Sequence, residues 1–87
     1  MQTTKKCYFT GDTRYLEKHH CLMGSANRKK AEEYGLWVWL SHSMHMRIHQ
    51  NHNYYKYRLY LEQQAQRKFE EIYGHEKFME EFHKNYL

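Results

Sequence analysis

Four histidines carry the most chemistry in this chain: the doublet His19-His20, then His45 and His49. Imidazoles four residues apart share one face of a helix, and nitrogens so placed can bind a single transition ion. The doublet brings a second segment toward the same site. Neighbouring residues on a strand point to opposite faces, so one of His19 and His20 can ligate an ion while the other faces a substrate only where the strand end is twisted or curled. An imidazole left off the ion, with a free pKa of about 6.5, is suited to accept a proton near neutrality. The plainer reading is ordinary packing or hydrogen bonding, since such pairs also occur on exposed helices. His52, His75 and His83 are read as surface histidines without a role.

The elements that must position these groups follow from local pattern. Cys7-Tyr8-Phe9-Thr10-Gly11-Asp12 joins aromatic residues to a Gly-Asp turn signal, which predicts a short hairpin with Thr13 to His20 as the return strand. Gly24-Ser25-Ala26-Asn27 breaks the pattern. Arg28 to Tyr34, rich in Lys, Ala and Glu, reads as a short helix stopped by Gly35. Leu36-Trp37-Val38-Trp39-Leu40 suits a buried strand, after which Ser41 can cap a helix carrying His45 and His49. From Tyr54 the steps Tyr54, Tyr57, Leu61, Ala65, Phe69 and Ile72 mark one apolar face of a long helix. Gly74 fits just past its end, and His75 to Leu87 offers a last helix with Phe78, Met79, Phe82 and Tyr86 on one side.

The chain has 87 residues, enough for one domain with one modest core. The reading is α+β: a small β-hairpin and a helix within 1–52, followed by two C-terminal helices in 53–87, all in a single domain 1–87. With 14 Lys and Arg against 10 Asp and Glu, the formal charge is +4, which favours polyanionic partners. The longest apolar run, Leu36 to Leu40, is far short of the ~20 residues a membrane span needs, so no membrane role is expected. Two cysteines and a polar N-terminus without the look of a signal peptide point to a reducing cytoplasm.

In order and spacing, His19-His20, the strand Leu36 to Leu40 running into Ser41, then His45 and His49 resemble the HNH family of small metal-dependent nucleases, whose core is a strand hairpin crossed by a helix around one divalent ion. The stretch from Gly24 through Val38 and the tail with Phe69, Tyr73-Gly74-His75 and Phe78 look similar to small phage-encoded HNH-like proteins. The resemblance implies a ββα-metal core, His20 as the general base, and His19, His45 and His49 as ligands to one divalent ion, with Mg, Mn, Ni and Zn all open. It implies hydrolysis of DNA phosphodiester bonds by a protein of phage or mobile-element type, located in a host cytoplasm.

Two departures bear on that expectation. The family's structural zinc is held by paired ligands, yet here Cys7 is followed by Thr10 where a second cysteine would stand, and the other pair would fall on Ser41 and Met44. The structural zinc is therefore expected to be lost, with Tyr8, Phe9, Tyr15, Trp37 and Trp39 holding the hairpin by packing. A rearranged set of Cys7, Cys21 and His42 is the alternative. The family's Asn is also missing from its place, with Asn27 nearby but shifted. These losses motivate a second expectation: an inactive protein of the same fold that acts as an inhibitor or adaptor on a host protein or nucleic acid.

Arg28, Lys29 and Lys30, extended by Arg47, are candidate contacts to a nucleic-acid backbone, or else a solvated helix face. Tyr54 to Tyr60 interleaves tyrosines with cations, and Tyr55, Lys56, Arg58 and Tyr60 remain available for contact once the buried stripe is set aside. With no separate reading domain, sequence specificity should be low, and targeting would come from DNA structure, a partner protein or a homodimer.

Overall fold

The computed structural model describes all residues, Met1–Leu87. Strand β1 spans Leu16–His20 and helix α1 Ser25–Tyr34; strand β2 spans Trp37–Ser41 and helix α2 His42–Gln50. A 3-10 turn at His52–Tyr54 leads into α3, Tyr55–Tyr73, and then α4, His75–Phe82. The fold is α+β, a two-stranded antiparallel sheet with four helices.

The hairpin differs from the expected one. β1 pairs with β2, in the register Leu16↔Ser41 through His20↔Trp37, and α1 lies within the connection. Cys7 to Asp12 is not a strand. It closes on itself through Cys7 N–H to the Asp12 carbonyl (2.7 Å) and Gly11 N–H to the Cys7 carbonyl (2.9 Å), with Gly11 at a φ of 77°. That consumes backbone groups a ladder would need, and the loop joins the sheet by one backbone–backbone bond, from Tyr8 N–H to the Trp39 carbonyl. The return strand starts at Leu16 rather than Thr13 because Tyr15 is left-handed, with a φ of 55°. Tyr15 is 82% exposed and adds nothing to the core.

The alternation of β2 sorts its side chains. Val38 and Leu40 are fully buried, while Trp37 and Trp39 stand half-buried on the opposite face, edge to face with ring centroids 5.3 Å apart. Lys18 lies 4.1 Å from the Trp37 ring centroid and Lys5 4.7 Å from that of Trp39. α1 begins at Ser25, within the segment read as a break, and ends at Gly35 as expected, where the backbone turns left-handed. Ser41 caps α2 by accepting from Met44 N–H at 3.3 Å.

α3 buries Leu61, Ala65 and Phe69 as its pattern requires, together with Glu62 and Gln66. Ile72 departs from the expected stripe: it lies in the last turn, 63% exposed, where no element covers it. The final helix stops at Phe82 because His83 turns left-handed, and the remaining residues run back along α3. There Gln66 donates from Nε2 to Asn85 and accepts from Tyr86 N–H, both at 2.7 Å. One core cluster runs from Cys7 through Leu22, Val38 and Leu40 to Phe69, Phe78 and Phe82, so the segments 1–52 and 53–87 share an interior. No helix is long and apolar enough to cross a membrane.

Candidate metal centre

The pairing of β1 with β2 sets the site. α2 leaves the end of β2 and packs against the inner face of the sheet, where it meets His19. His45 and His49, one turn apart on α2, meet His19 with ring centroids 5.3 and 5.5 Å from it and 4.8 Å from each other. One nitrogen from each ring lies within 4.8 Å of the others, so the three could hold a metal ion. Cys7, Cys21 and His42 form no such group.

His19 is 1% exposed, and its Nε2 is buried without any hydrogen-bond partner. An orphaned buried polar atom costs about 1–3 kcal/mol, which a ligand at that nitrogen would offset. Burial first, and then the neighbouring His45, His49 and His20, push the His19 pKa down to about 3, so this imidazole is neutral with a free lone pair at any ordinary pH. His49 is likewise lowered by burial and by the nearby charges of His45, Arg58 and Arg28. His45 sets its Nδ1 2.8 Å from Glu17 Oε1, which leaves Nε2 as its free nitrogen. The same carboxylate reaches His42 Nδ1 at 2.7 Å, and hydrogen bonds from His45 and His42 hold Glu17 below the usual carboxylate range. Three imidazoles, one carrying a carboxylate partner, suit a divalent transition ion with coordination positions left open.

His20 sits on the other face of β1, as alternation requires, yet lines the same cleft because it is the last residue of the strand. The cleft has a volume of about 320 Å³ and is lined by all of His19, His20, His45 and His49, with Lys18 and Arg28 at its rim. Nε2 of His20 lies 2.7 Å from Oε2 of Glu32 on α1, whose other oxygen accepts from Lys18 Nζ at 2.8 Å. These two hydrogen bonds hold the Glu32 carboxyl below its ordinary pKa.

The basic residues divide. Arg28 lines the cleft, and Lys29 shares with it and His20 a shallow depression along α1. Lys30 instead turns to α4, where its Nζ binds the Glu81 carbonyl at 2.5 Å and the Glu81 carboxylate at 3.5 Å. Arg47 does not line the cleft and lies over the Tyr54 ring, 5.9 Å from its centroid. Among the histidines read as without a role, His75 pairs with Glu70 at 2.7 Å, whereas His52 lines a second cleft beside His49.

Cys7 keeps company with the positions of the broken zinc pairs. Burial pushes its thiol pKa up, but the Thr10 side chain and backbone groups of Ser41, Thr10 and Phe9 hydrogen-bond with it and bring it to about 7.

Two partners were not read from the sequence. Glu17 stands two residues before His19 and so shares its strand face, a signal that period-two alternation carries. Glu32 reaches His20 only through the packing of α1 on the sheet, which no local spacing discloses. Comparison with family models, curated proteins and solved structures finds no match for this chain.

Proposed function

We propose that this protein is an HNH-like, metal-dependent nuclease that hydrolyses DNA phosphodiester bonds. The observation that carries the reading is the convergence of His45 and His49 on the buried, partnerless Nε2 of His19, in an open cleft that also holds His20 and Arg28. An imidazole-only donor set favours a transition ion such as Ni²⁺ or Zn²⁺ over Mg²⁺, which prefers oxygen ligands. A divalent ion bound there would polarise a phosphodiester oxygen and stabilise charge on the leaving oxygen.

The chain's own groups supply the rest. Glu32 engages Nε2 of His20, leaving Nδ1 as the atom that takes a proton from the attacking water. As the water oxygen bonds to phosphorus, the P–O3′ bond breaks with its electron pair on O3′, which is protonated from solvent. The Glu32 carboxylate stabilises the imidazolium formed at His20. Arg28, at the rim, holds a neighbouring phosphate.

The test is cleavage of supercoiled plasmid by purified protein with Mg²⁺, Mn²⁺, Ni²⁺ or Zn²⁺, against chelator and against His20→Ala. Cleavage that needs both ion and His20 supports the reading; no cleavage with any ion overturns it.

One observation favours a second reading, a non-catalytic adaptor on a host protein. Tyr8, Phe9, Tyr57 and Tyr60 line an open aromatic groove of about 380 Å³, of the kind that dominates protein contacts. A complex that forms equally well with His19, His20, His45 and His49 all replaced would support it.

A further inference from the structure

His49 faces two clefts. On one side it lines the histidine cleft with Arg28; on the other it lines a second cleft of about 550 Å³, between the end of α2 and the first turn of α3. This second space lies within the range of small-ligand sites, about 300–1,000 Å³. No carboxylate lines it; its walls include His49, His52, Tyr55 and Arg58.

Arg58 is set there in an unusual state. Its Nε is buried with no hydrogen-bond partner, and the nearest carboxylate oxygen, on Glu62, is 3.9 Å away, too far for one. The guanidinium lies 4.9 Å from the Tyr55 ring centroid, a cation–π contact that holds it beside the cleft. A planar guanidinium whose Nε lacks a partner, at the wall of an acid-free cleft, suits a phosphate.

From this arrangement we propose that Arg58 binds a phosphate of the nucleic-acid backbone in the second cleft, so that Arg28 and Arg58 hold one strand on either side of the three-histidine site. The proposal deepens the nuclease reading and rests on it for the identity of the ligand. The strand passes across His49, with one phosphate on each arginine.

The test is binding in chelator, where no hydrolysis occurs, of a fluorescein-labelled single-stranded oligodeoxynucleotide, followed by anisotropy at several salt concentrations. Arg58→Gln weakens binding about tenfold and lowers the magnitude of the salt slope by about one contact, while Arg58→Lys recovers most of the slope. Co²⁺ absorption spectra and thermal unfolding of both variants check that the histidine site and the fold persist. Unchanged affinity and slope in a folded Arg58→Gln protein overturn the proposal and leave the nuclease reading standing. Binding that depends on Arg58, in a protein that cleaves nothing, sinks the nuclease reading and supports the arginine's role. A wild-type protein that binds no oligonucleotide overturns both.

Discussion

Nδ1 of His45 lies 2.8 Å from Oε1 of Glu17, a residue carried by the same strand face as His19. The strand thus supplies one candidate ligand and also orients another. Such carboxylate partners fix the ring and raise its basicity, and their loss costs about 10–100-fold in metal affinity. Glu17→Gln is expected to weaken Co²⁺ or Ni²⁺ binding by that factor in calorimetric titration. Equal affinity would show that the contact does not position His45.

His20 and Glu32 should separate catalysis from binding. His20→Ala is expected to lower plasmid nicking about 10²–10⁴-fold, and Glu32→Gln to lower it less, since the imidazole remains. Metal affinity should stay near wild type in both. A His20→Ala protein that nicks at the wild-type rate rules out the assigned base.

The depressed pKa of His19 gives metal-free stability a definite pH dependence. Its folded value is about 3, against about 6.5 in the unfolded chain. Above about pH 6.5 both states hold it neutral and the full stability is present. As pH falls from there toward 3, the unfolded chain takes up a proton that the folded one refuses, and stability drops by up to about 1.4 kcal/mol per pH unit. Urea midpoints of the apoprotein should therefore fall between about pH 7.5 and about pH 5, and fall less in His19→Asn. A flat wild-type profile would contradict this.

Gln66 is expected to anchor the C-terminal segment. It is fully buried, and its side-chain amide bonds Glu70, Asn85 and the Tyr86 backbone. Gln66→Leu keeps the approximate volume but strands those partners, at a cost of about 1–3 kcal/mol. The readouts are the urea midpoint and faster trypsin cleavage at Lys84. An unchanged midpoint with unchanged proteolysis would show that the tail is held otherwise.

The sequence was most legible where period and punctuation agreed. Gly35, Ser41 and Gly74 mark element ends in the structure as they do in the pattern, and Val38 and Leu40 fall inward by simple alternation. It misled at Cys7 to Asp12, where a turn signal between aromatic residues looked like a hairpin but the loop satisfies its own backbone groups. Ile72 fitted the stripe yet lies where the core has run out, a fact of tertiary extent that a helical period does not contain. Of the three-histidine group, His45 and His49 were legible from their spacing of one helical turn, while the choice of His19 over His20 came from the family resemblance. The orientation of Lys30 toward Glu81, the hold of Glu32 on His20 and the cleft beside Arg58 all depend on how helices pack, which no single segment encodes.

His19 belongs to β1, whereas His45 and His49 lie beyond α1 and β2. An ion shared by all three would be a removable cross-link spanning about a third of the chain, from His19 to His49, made in the folded state and absent from the unfolded one. Folding would then draw on free metal, gaining about 2.7 kcal/mol at a hundred times the dissociation constant. A metal-starved protein would lose persistence together with reactivity, and its lifetime against proteases would rise and fall with metal supply.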